Sequence, residues 1–206
     1  MKKYISVFLS MMLVLSYAIA QDAADPKPYF DEAKSQYAAG NLDDARFALE
    51  QALTELDELV ATKILEITPT QIGDLQAIAE NDQYSGTSIG LTGLYVFRSY
   101  ENPSDPEQSM EMSIMTNSPL LASVTNFLSN SILGGIASSA MGQKRIKVDG
   151  YKAMMQKDEN AEKERYTISI PFSESLITLE FSGMDENTVL SNSNQIPVSQ
   201  IVKIAQ

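Results

Sequence analysis

The sequence contains no cysteine, no histidine and no tryptophan among its 206 residues. Without cysteine the chain forms no disulfide and has no thiol nucleophile, and without histidine it lacks the commonest general base. The same absences exclude zinc sites built from cysteine and histidine, haem held by histidine, and iron–sulfur clusters. We therefore expect a protein without a cofactor, and one that is not an enzyme.

Basic residues are also scarce, since 15 lysines and arginines face 27 acidic residues and give a net charge of −12. This charge repels the phosphates of nucleic acids and of anionic lipids, so nucleic acid is not an expected partner. Hydrophobic residues make up 44% of the chain and charged residues 20%, which is typical of a globular fold with a sizeable core.

The first twenty residues have the pattern of an export signal. Two lysines at positions 2 and 3 precede an apolar run over 5–15, and small residues follow at 18–20. The apolar run is shorter than the roughly 20 residues that a membrane-spanning helix needs. The sequence therefore predicts a signal peptide over 1–20, no stable membrane span after its removal, and a mature protein exported to the periplasm or the extracellular space.

Two helices are predicted after a proline-containing linker over 21–28. Apolar residues recur at spacings of three and four over 29–39, Gly40 and Asn41 interrupt the pattern, and the period resumes over 43–66. The apolar stripe of the second helix is Ala45, Leu49, Ala52, Leu53, Leu56, Val60 and Ile64. Helices joined by so short a turn form an antiparallel hairpin, here over 29–66.

The spacing within this hairpin resembles one tetratricopeptide repeat over 29–62. The residues that carry the resemblance are Ala33, Tyr37, Gly40, Ala45, Leu49 and Ala52. Stacked repeats need three or more copies, and the sequence contains one. The resemblance thus implies a helical hairpin that packs on its own sheet domain or on a partner, with a recognition repeat as the alternative.

Alternating patterns dominate the region over 67–206, which is predicted to form the sheet domain. We expect strands over 75–79, 91–100, 109–116, 145–156, 166–171 and 176–182. Three inward-facing sets are plain: Met110, Met112 and Ile114; Tyr166, Ile168 and Ile170; and Ile177, Leu179 and Phe181. A helix is predicted over 119–133, with Ser118 as its cap and Pro119 at its first position. A turn of helix opens at Asp185, and a last helix opens at Pro197. The predicted fold is α+β, with the hairpin preceding an antiparallel sheet that helices cover.

This order of elements over 68–206, together with the segment VDGYKA at 148–153, resembles the PsbP-like fold of exported bacterial proteins and of an extrinsic photosystem II subunit. The resemblance implies docking to an assembly rather than catalysis. No set of functional residues of that family matches positions of this sequence.

One local cluster of cations stands out against the acidic background: Lys144, Arg145, Lys147 and Lys152. Lysines at the edge of a sheet prevent pairing with other chains, which is the structural interpretation. The functional interpretation is contact with an anion or an acidic partner.

Four carboxylate pairs invite a catalytic interpretation: Asp43/Asp44, Asp57/Glu58, Asp158/Glu159 and Asp185/Glu186. Each lies where helix starts, helix faces or turns favour acids, whereas a glycosidase needs two carboxyls that face each other across a cleft. The uncharged stretch over 117–143 is predicted to form one helix followed by a loop over 134–142, with contact to a membrane surface as the alternative.

The predicted function is an exported, non-enzymatic interaction or binding module of the bacterial cell envelope. Its partner is expected to be another envelope protein or a small ligand. The alternatives are a carboxylate-based hydrolase acting on envelope glycans, and a protein that associates with the membrane surface through 117–143.

Overall fold

A computed structural model describes residues 24–85, 93–129 and 142–205 of the chain. The predicted signal peptide and most of the predicted 134–142 loop lie outside these residues. Within them, an N-terminal helical hairpin precedes an antiparallel sheet and further helices, which confirms the predicted α+β class. The helices are α1 Lys27–Ala39, α2 Leu42–Ile67, α3 Leu121–Ser129, α4 Glu186–Ser193 and α5 Val198–Ala205. The strands are β1 Gln71–Ile72, β2 Leu75–Ala77, β3 Gln83–Ser85, β4 Tyr95–Asn102, β5 Asp105–Thr116, β6 Gln143–Val148, β7 Tyr151–Lys157, β8 Arg165–Phe172 and β9 Ser175–Ser182.

The helical hairpin forms where the apolar period predicts it. Helix α1 ends at Gly40, and the N–H of Asn41 donates to the carbonyl of Gln36 at 2.9 Å, which closes the turn. Asp43 and Asp44 lie in the first turn of α2, where negative charge is favourable beside the helix N-terminus. The buried residues between the two helices are alanines: Ala33, Ala45, Ala48 and Ala52. Small side chains let the helices approach closely, so larger side chains of α2 point away from α1.

All strands pair antiparallel, in the order β1-β2-β4-β5-β9-β8-β7-β6, and β3 also pairs with β4. The three predicted inward sets are confirmed, since they lie in register on β5, β9 and β8 and are at most 3% exposed. Met110, for example, is opposite Phe181, which is opposite Tyr166. The sheet therefore has one continuous apolar face.

Three helices cover this apolar face. Ala61 and Ile64 of α2, Val189 of α4 and Ile201 of α5 belong to the same buried cluster as the strand residues. Val60, Leu65 and Ile67 of α2 pack against the edge of that cluster. The C-terminal half of α2 is thus part of the core of the sheet domain.

Helix α3 covers the opposite face of the sheet, where it packs on β7 and β8. Val124 of α3 is buried but lies outside the main cluster. Ser169 is buried although it alternates with Ile168 and Ile170, whose side chains are on the apolar face. Of the predicted 119–133 helix, α3 spans Leu121–Ser129, and residues 130–133 lie outside the described part.

The predicted single strand over 145–156 is wrong, because this segment forms the hairpin β6–β7. Its turn is Asp149–Gly150, with positive φ values of 47° and 83°. Two successive residues with positive φ are typical of the tight type I′ turn, for which Asp-Gly is a preferred sequence. The pair Val148 and Tyr151 closes the strands on either side. The Asp-Gly dipeptide is the signal in the sequence for this division of the strand.

Candidate functional site

The first candidate surface is the distal part of the helical hairpin, beyond the half of α2 that enters the core. Seven of the large apolar side chains that are exposed lie on α1 and α2: Phe30, Tyr37, Leu42, Phe47, Leu49, Leu53 and Leu56. Their exposure ranges from 41% for Leu56 to 72% for Tyr37. Side chains of this size are usually buried, so their concentration on one element needs an explanation.

Six of these seven side chains share one face of the hairpin. On α2 the spacing of Leu42, Leu49, Leu53 and Leu56 is seven, four and three residues, which aligns them along the helix. On α1 the spacing of seven residues aligns Phe30 and Tyr37, and the antiparallel arrangement turns both toward the same side as the α2 leucines. We call this set the hairpin face: Phe30, Tyr37, Leu42, Leu49, Leu53 and Leu56. Phe47 points about 140° away from Leu42 around α2, on the other side.

A buried arginine fixes α2, and with it the hairpin face, to the sheet. Arg98 of β4 is 7% exposed, and its guanidinium donates to both carboxylate oxygens of Asp82 at 2.9 and 2.6 Å. It also donates to the carbonyls of Leu65 and Thr68 at 2.9 and 3.1 Å. These carbonyls end α2, where the helix dipole favours a cation. The hydrogen bond to Asp82 holds the pKa of Arg98 above its usual value.

Two tyrosines reinforce this junction. The hydroxyl of Tyr100 donates to the carbonyl of Pro69 at 2.8 Å, and burial raises the pKa of Tyr100 to about 12. The hydroxyl of Tyr84 on β3 donates to Glu58 in the middle of α2 at 2.9 Å, and this hydrogen bond raises the pKa of Tyr84. The hairpin is therefore held at a defined orientation to the sheet by polar contacts as well as by the core.

The second candidate surface holds the predicted cation cluster, and the structure gives its members different environments. The ammonium of Lys144 pairs with the carboxylate of Glu186 at 2.6 Å, so this lysine has a structural partner. The guanidinium of Arg145 lies 5.2 Å from the centroid of the Phe127 ring and donates to the Phe127 carbonyl. Lys147 and Lys152 lie directly opposite each other on β6 and β7.

Three of the four cations line a groove between α3 and the β6–β7 hairpin. Its volume is about 900 Å³, and the residues described along it include Arg145, Lys147 and Lys152. The other described lining residues come from α3, the β6–β7 hairpin and β8: Thr125, Leu128, Ser129, Ile146, Gly150, Tyr151 and Pro171. None of these described residues is acidic. The groove thus combines positive charge with hydroxyl and apolar groups.

The four predicted carboxylate pairs lie at four different places in the fold: the first turn of α2, the middle of α2, the turn after β7 and the start of α4. Asp185 caps α4 and accepts from the N–H and the hydroxyl of Thr188 at 3.0 Å, which lowers the pKa of Asp185. Asp158 accepts the N–H of Asn160 at 3.0 Å in the turn after β7. In the described part of the chain, no group of three or more acidic residues is arranged to hold a metal ion.

Comparisons with protein-family models, with curated proteins and with solved structures find no match. The tetratricopeptide-like and PsbP-like resemblances therefore stay predictions. Among the described helices, none is both long and apolar enough to cross a membrane. The membrane-contact alternative depends on 117–143, of which 130–141 lie outside the described residues.

The local sequence pattern indicates the cation cluster but not Arg98, which has more hydrogen-bond partners. Its partners are 16, 30 and 33 residues away in the chain, so no local spacing indicates the contact. One signal was available: an arginine at an inward position of the predicted strand 91–100, between Val96 and Tyr100. A charge on the apolar face of a strand needs a buried partner.

Proposed function

We propose that this chain is an exported, non-enzymatic binding module that docks a protein partner on the hairpin face. The observation that carries the proposal is the exposure of six large apolar side chains on one side of α1 and α2. Together they present several hundred Å² of apolar surface, on the order of the patches that mark interaction sites on soluble proteins. The proposed export rests on the signal-peptide pattern over 1–20.

The fold explains why the hairpin face is available. The alanines on one side of α2 pack against α1. The apolar stripe of α2 contacts the sheet domain only from Val60 onward. The leucines between these two contacts lie outside both. An exposed stripe of four leucines costs solubility, so its presence favours a role in binding.

The charge around the hairpin face defines the chemistry of the partner. Helices α1 and α2 carry nine acidic and four basic side chains between residues 27 and 67, a net charge of −5. Electrostatic complementarity then favours a partner segment with positive charges beside its apolar residues. We propose an amphipathic basic helix, which would place its apolar side on the leucines and its lysines or arginines near acidic side chains of α1 and α2.

The hairpin also offers the control that a test needs. Phe47 is 63% exposed on α2, as hydrophobic as the leucines, and lies on the other side of the helix. Substitution of Leu49 and Leu53 by alanine keeps a strong helix former at each position. The double variant Leu49→Ala/Leu53→Ala should therefore fold. Phe47→Ala is the matched control, because it also removes exposed apolar surface from α2 but on the other side of the helix.

The experiment has two stages. A photo-crosslinking residue placed at Leu53 should give one dominant adduct in the intact envelope, and the same residue at Phe47 should not. The partner segment identified by mass spectrometry is then titrated into the purified chain by calorimetry. We expect Leu49→Ala/Leu53→Ala to weaken binding at least about tenfold, as loss of central apolar contacts does at other interfaces. Phe47→Ala should change the dissociation constant less than about twofold.

Several outcomes would contradict the proposal. Adducts of equal yield from both positions, or from neither, would show that the hairpin face is not a docking site. Binding that survives Leu49→Ala/Leu53→Ala would place the contact elsewhere. Concentration-dependent dimerisation that the same double variant abolishes would identify a second copy of this chain as the occupant.

A further inference from the structure

We infer that the groove between α3 and the β6–β7 hairpin binds a small organic anion that has an apolar body. The residues that would bind its acidic oxygens are Lys147 and Lys152, with Arg145 beside them. Leu128 and Pro171 would contact the apolar part. This site is independent of the hairpin face, which lies on other elements of the fold.

The first observation is the register of the two lysines. Lys147 and Lys152 face each other across β6 and β7, and both side chains are exposed. Like charges directly opposite each other destabilise an antiparallel pair. Neither ammonium group has a hydrogen bond or an ion pair with the described residues, in a chain whose acidic residues outnumber its basic ones. An anion between the two ammonium groups would remove this repulsion.

The second observation is the placement of Arg145. It lies two residues before Lys147 on β6, so strand alternation puts both side chains on the same face. The Phe127 ring and carbonyl hold the Arg145 guanidinium in one position. A fixed guanidinium loses little conformational freedom when it binds a carboxylate or a phosphate, for which its planar fork is suited.

The third observation is the shape and the remaining lining of the groove. A volume of about 900 Å³ lies within the range of small-molecule sites, which are mostly apolar with a few convergent polar groups. Leu128 and Pro171 are apolar, whereas Thr125 and Ser129 of α3 supply hydroxyls. An inorganic ion would leave this apolar lining in contact with water, so the ligand is expected to carry a hydrocarbon or aromatic body.

Edge protection alone does not explain the same arrangement. Lysines on an edge strand prevent pairing with another chain, and β6 is at the edge of the sheet. That role needs a charge on β6 only, whereas Lys152 is on β7, inside the edge. It also does not require a groove or a fixed arginine.

The test uses four probes of equal chain length, titrated into the purified protein by calorimetry: decanoate, decyl phosphate, decanol and decyltrimethylammonium. We expect both anions to bind, at least about tenfold more tightly than the neutral and the cationic probe, with an affinity that falls as salt rises. The double variant Lys147→Gln/Lys152→Gln should weaken decanoate binding at least about tenfold. The control Lys34→Gln/Lys63→Gln removes the same charge from the hairpin and should leave the affinity within about twofold.

Folding and chemistry are separated by two further measurements. Lys147→Gln/Lys152→Gln should not lower the melting temperature, because it removes a like-charge pair. Lys147→Arg/Lys152→Arg keeps both charges and should retain decanoate binding. If decanol binds as tightly as decanoate, or if the glutamine variant binds like the parent, the inference is wrong. Binding of anionic vesicles or of an acidic peptide without binding of decanoate or decyl phosphate would equally overturn it.

Discussion

Replacement of Arg98 by methionine should cost this protein a large part of its stability. The change keeps an unbranched side chain of similar length but removes the charge and every donor. It leaves the Asp82 carboxylate without its partner, and the carbonyls of Leu65 and Thr68 lose their hydrogen bonds at the end of α2. The Asp82 side chain is only 17% exposed, so water replaces these bonds poorly.

The expected loss follows from this burial. Removing one member of a buried ion pair costs about 3 to 5 kcal/mol, and the partial exposure of Asp82 favours the lower end. Domains are usually stable by about 5 to 15 kcal/mol, so Arg98→Met should remove a substantial fraction of the total. With a urea slope of about 2 to 3 kcal/mol per molar, the unfolding midpoint should fall by about 1 to 1.5 M.

Arg46 supplies the matched control for this experiment. It pairs with Glu50 on α2 at 3.2 Å, but its side chain is 81% exposed. Exposed pairs contribute about 0 to 1 kcal/mol, so Arg46→Met should shift the midpoint by less than about 0.5 M. If Arg98→Met proves too unstable to purify, Arg98→Lys keeps the charge but loses the bidentate geometry, and an intermediate shift is expected.

The reasoning would be refuted by equal midpoints for Arg98→Met and Arg46→Met. That result would mean that the hydrogen bonds of Arg98 are offset by the cost of burying its charge. The double variant Arg98→Met/Asp82→Asn provides an internal check, because it removes both charges. Its loss of unfolding free energy should be smaller than the sum of the losses caused by Arg98→Met and Asp82→Asn alone.

Three further outcomes are expected. Gly183→Ala should destabilise the chain by about 2 to 4 kcal/mol in urea titrations, because the added Cβ would lie 2.3 Å from the carbonyl oxygen of Glu107. The control Gly150→Ala has a similar φ but open space around the Cβ, and it should cost about 1 kcal/mol. The backbone N–H of Ser199 in α5 donates to the Asp149 carboxylate and lowers its pKa. Asp149→Asn should therefore lose about 0.5 kcal/mol in melting experiments near neutral pH. The difference should begin to shrink below about pH 4 and vanish only when the pH is below the lowered pKa of the carboxyl in the folded parent. A fragment of residues 67–206 should unfold at lower urea than the whole chain, because it lacks the part of α2 that enters the core.

The elements of this fold were predictable wherever one local pattern dominated. The hairpin was predictable because the apolar period is continuous within each helix and breaks at Gly40. The central strands were predictable from strict alternation. The β6–β7 segment was misread because its apolar residues continue on both sides of the turn. The two-residue turn shifts the inward positions from even numbers in β6 to odd numbers in β7, and this shift together with the Asp-Gly dipeptide marks the boundary.

The candidate sites were less predictable because they depend on contacts between distant segments. The apolar stripe of α2 has the same period at Leu49, which is exposed, as at Ile64, which is in the core. Only the position of the sheet decides which part is covered. The groove likewise needs α3 to lie against β7 and β8, and the spacing of Lys147 and Lys152 carries no information about that helix.

The shared use of α2 has a consequence for the fate of the chain in the cell. One continuous helix of 26 residues contributes to the core at one end and carries the hairpin face at the other. A partner bound at 100 times its dissociation constant would add about 2.7 kcal/mol to the stability of the folded chain. Copies that lack a partner would then populate the unfolded state about a hundredfold more often and be the first that proteases remove. The abundance of this protein would follow that of its partner.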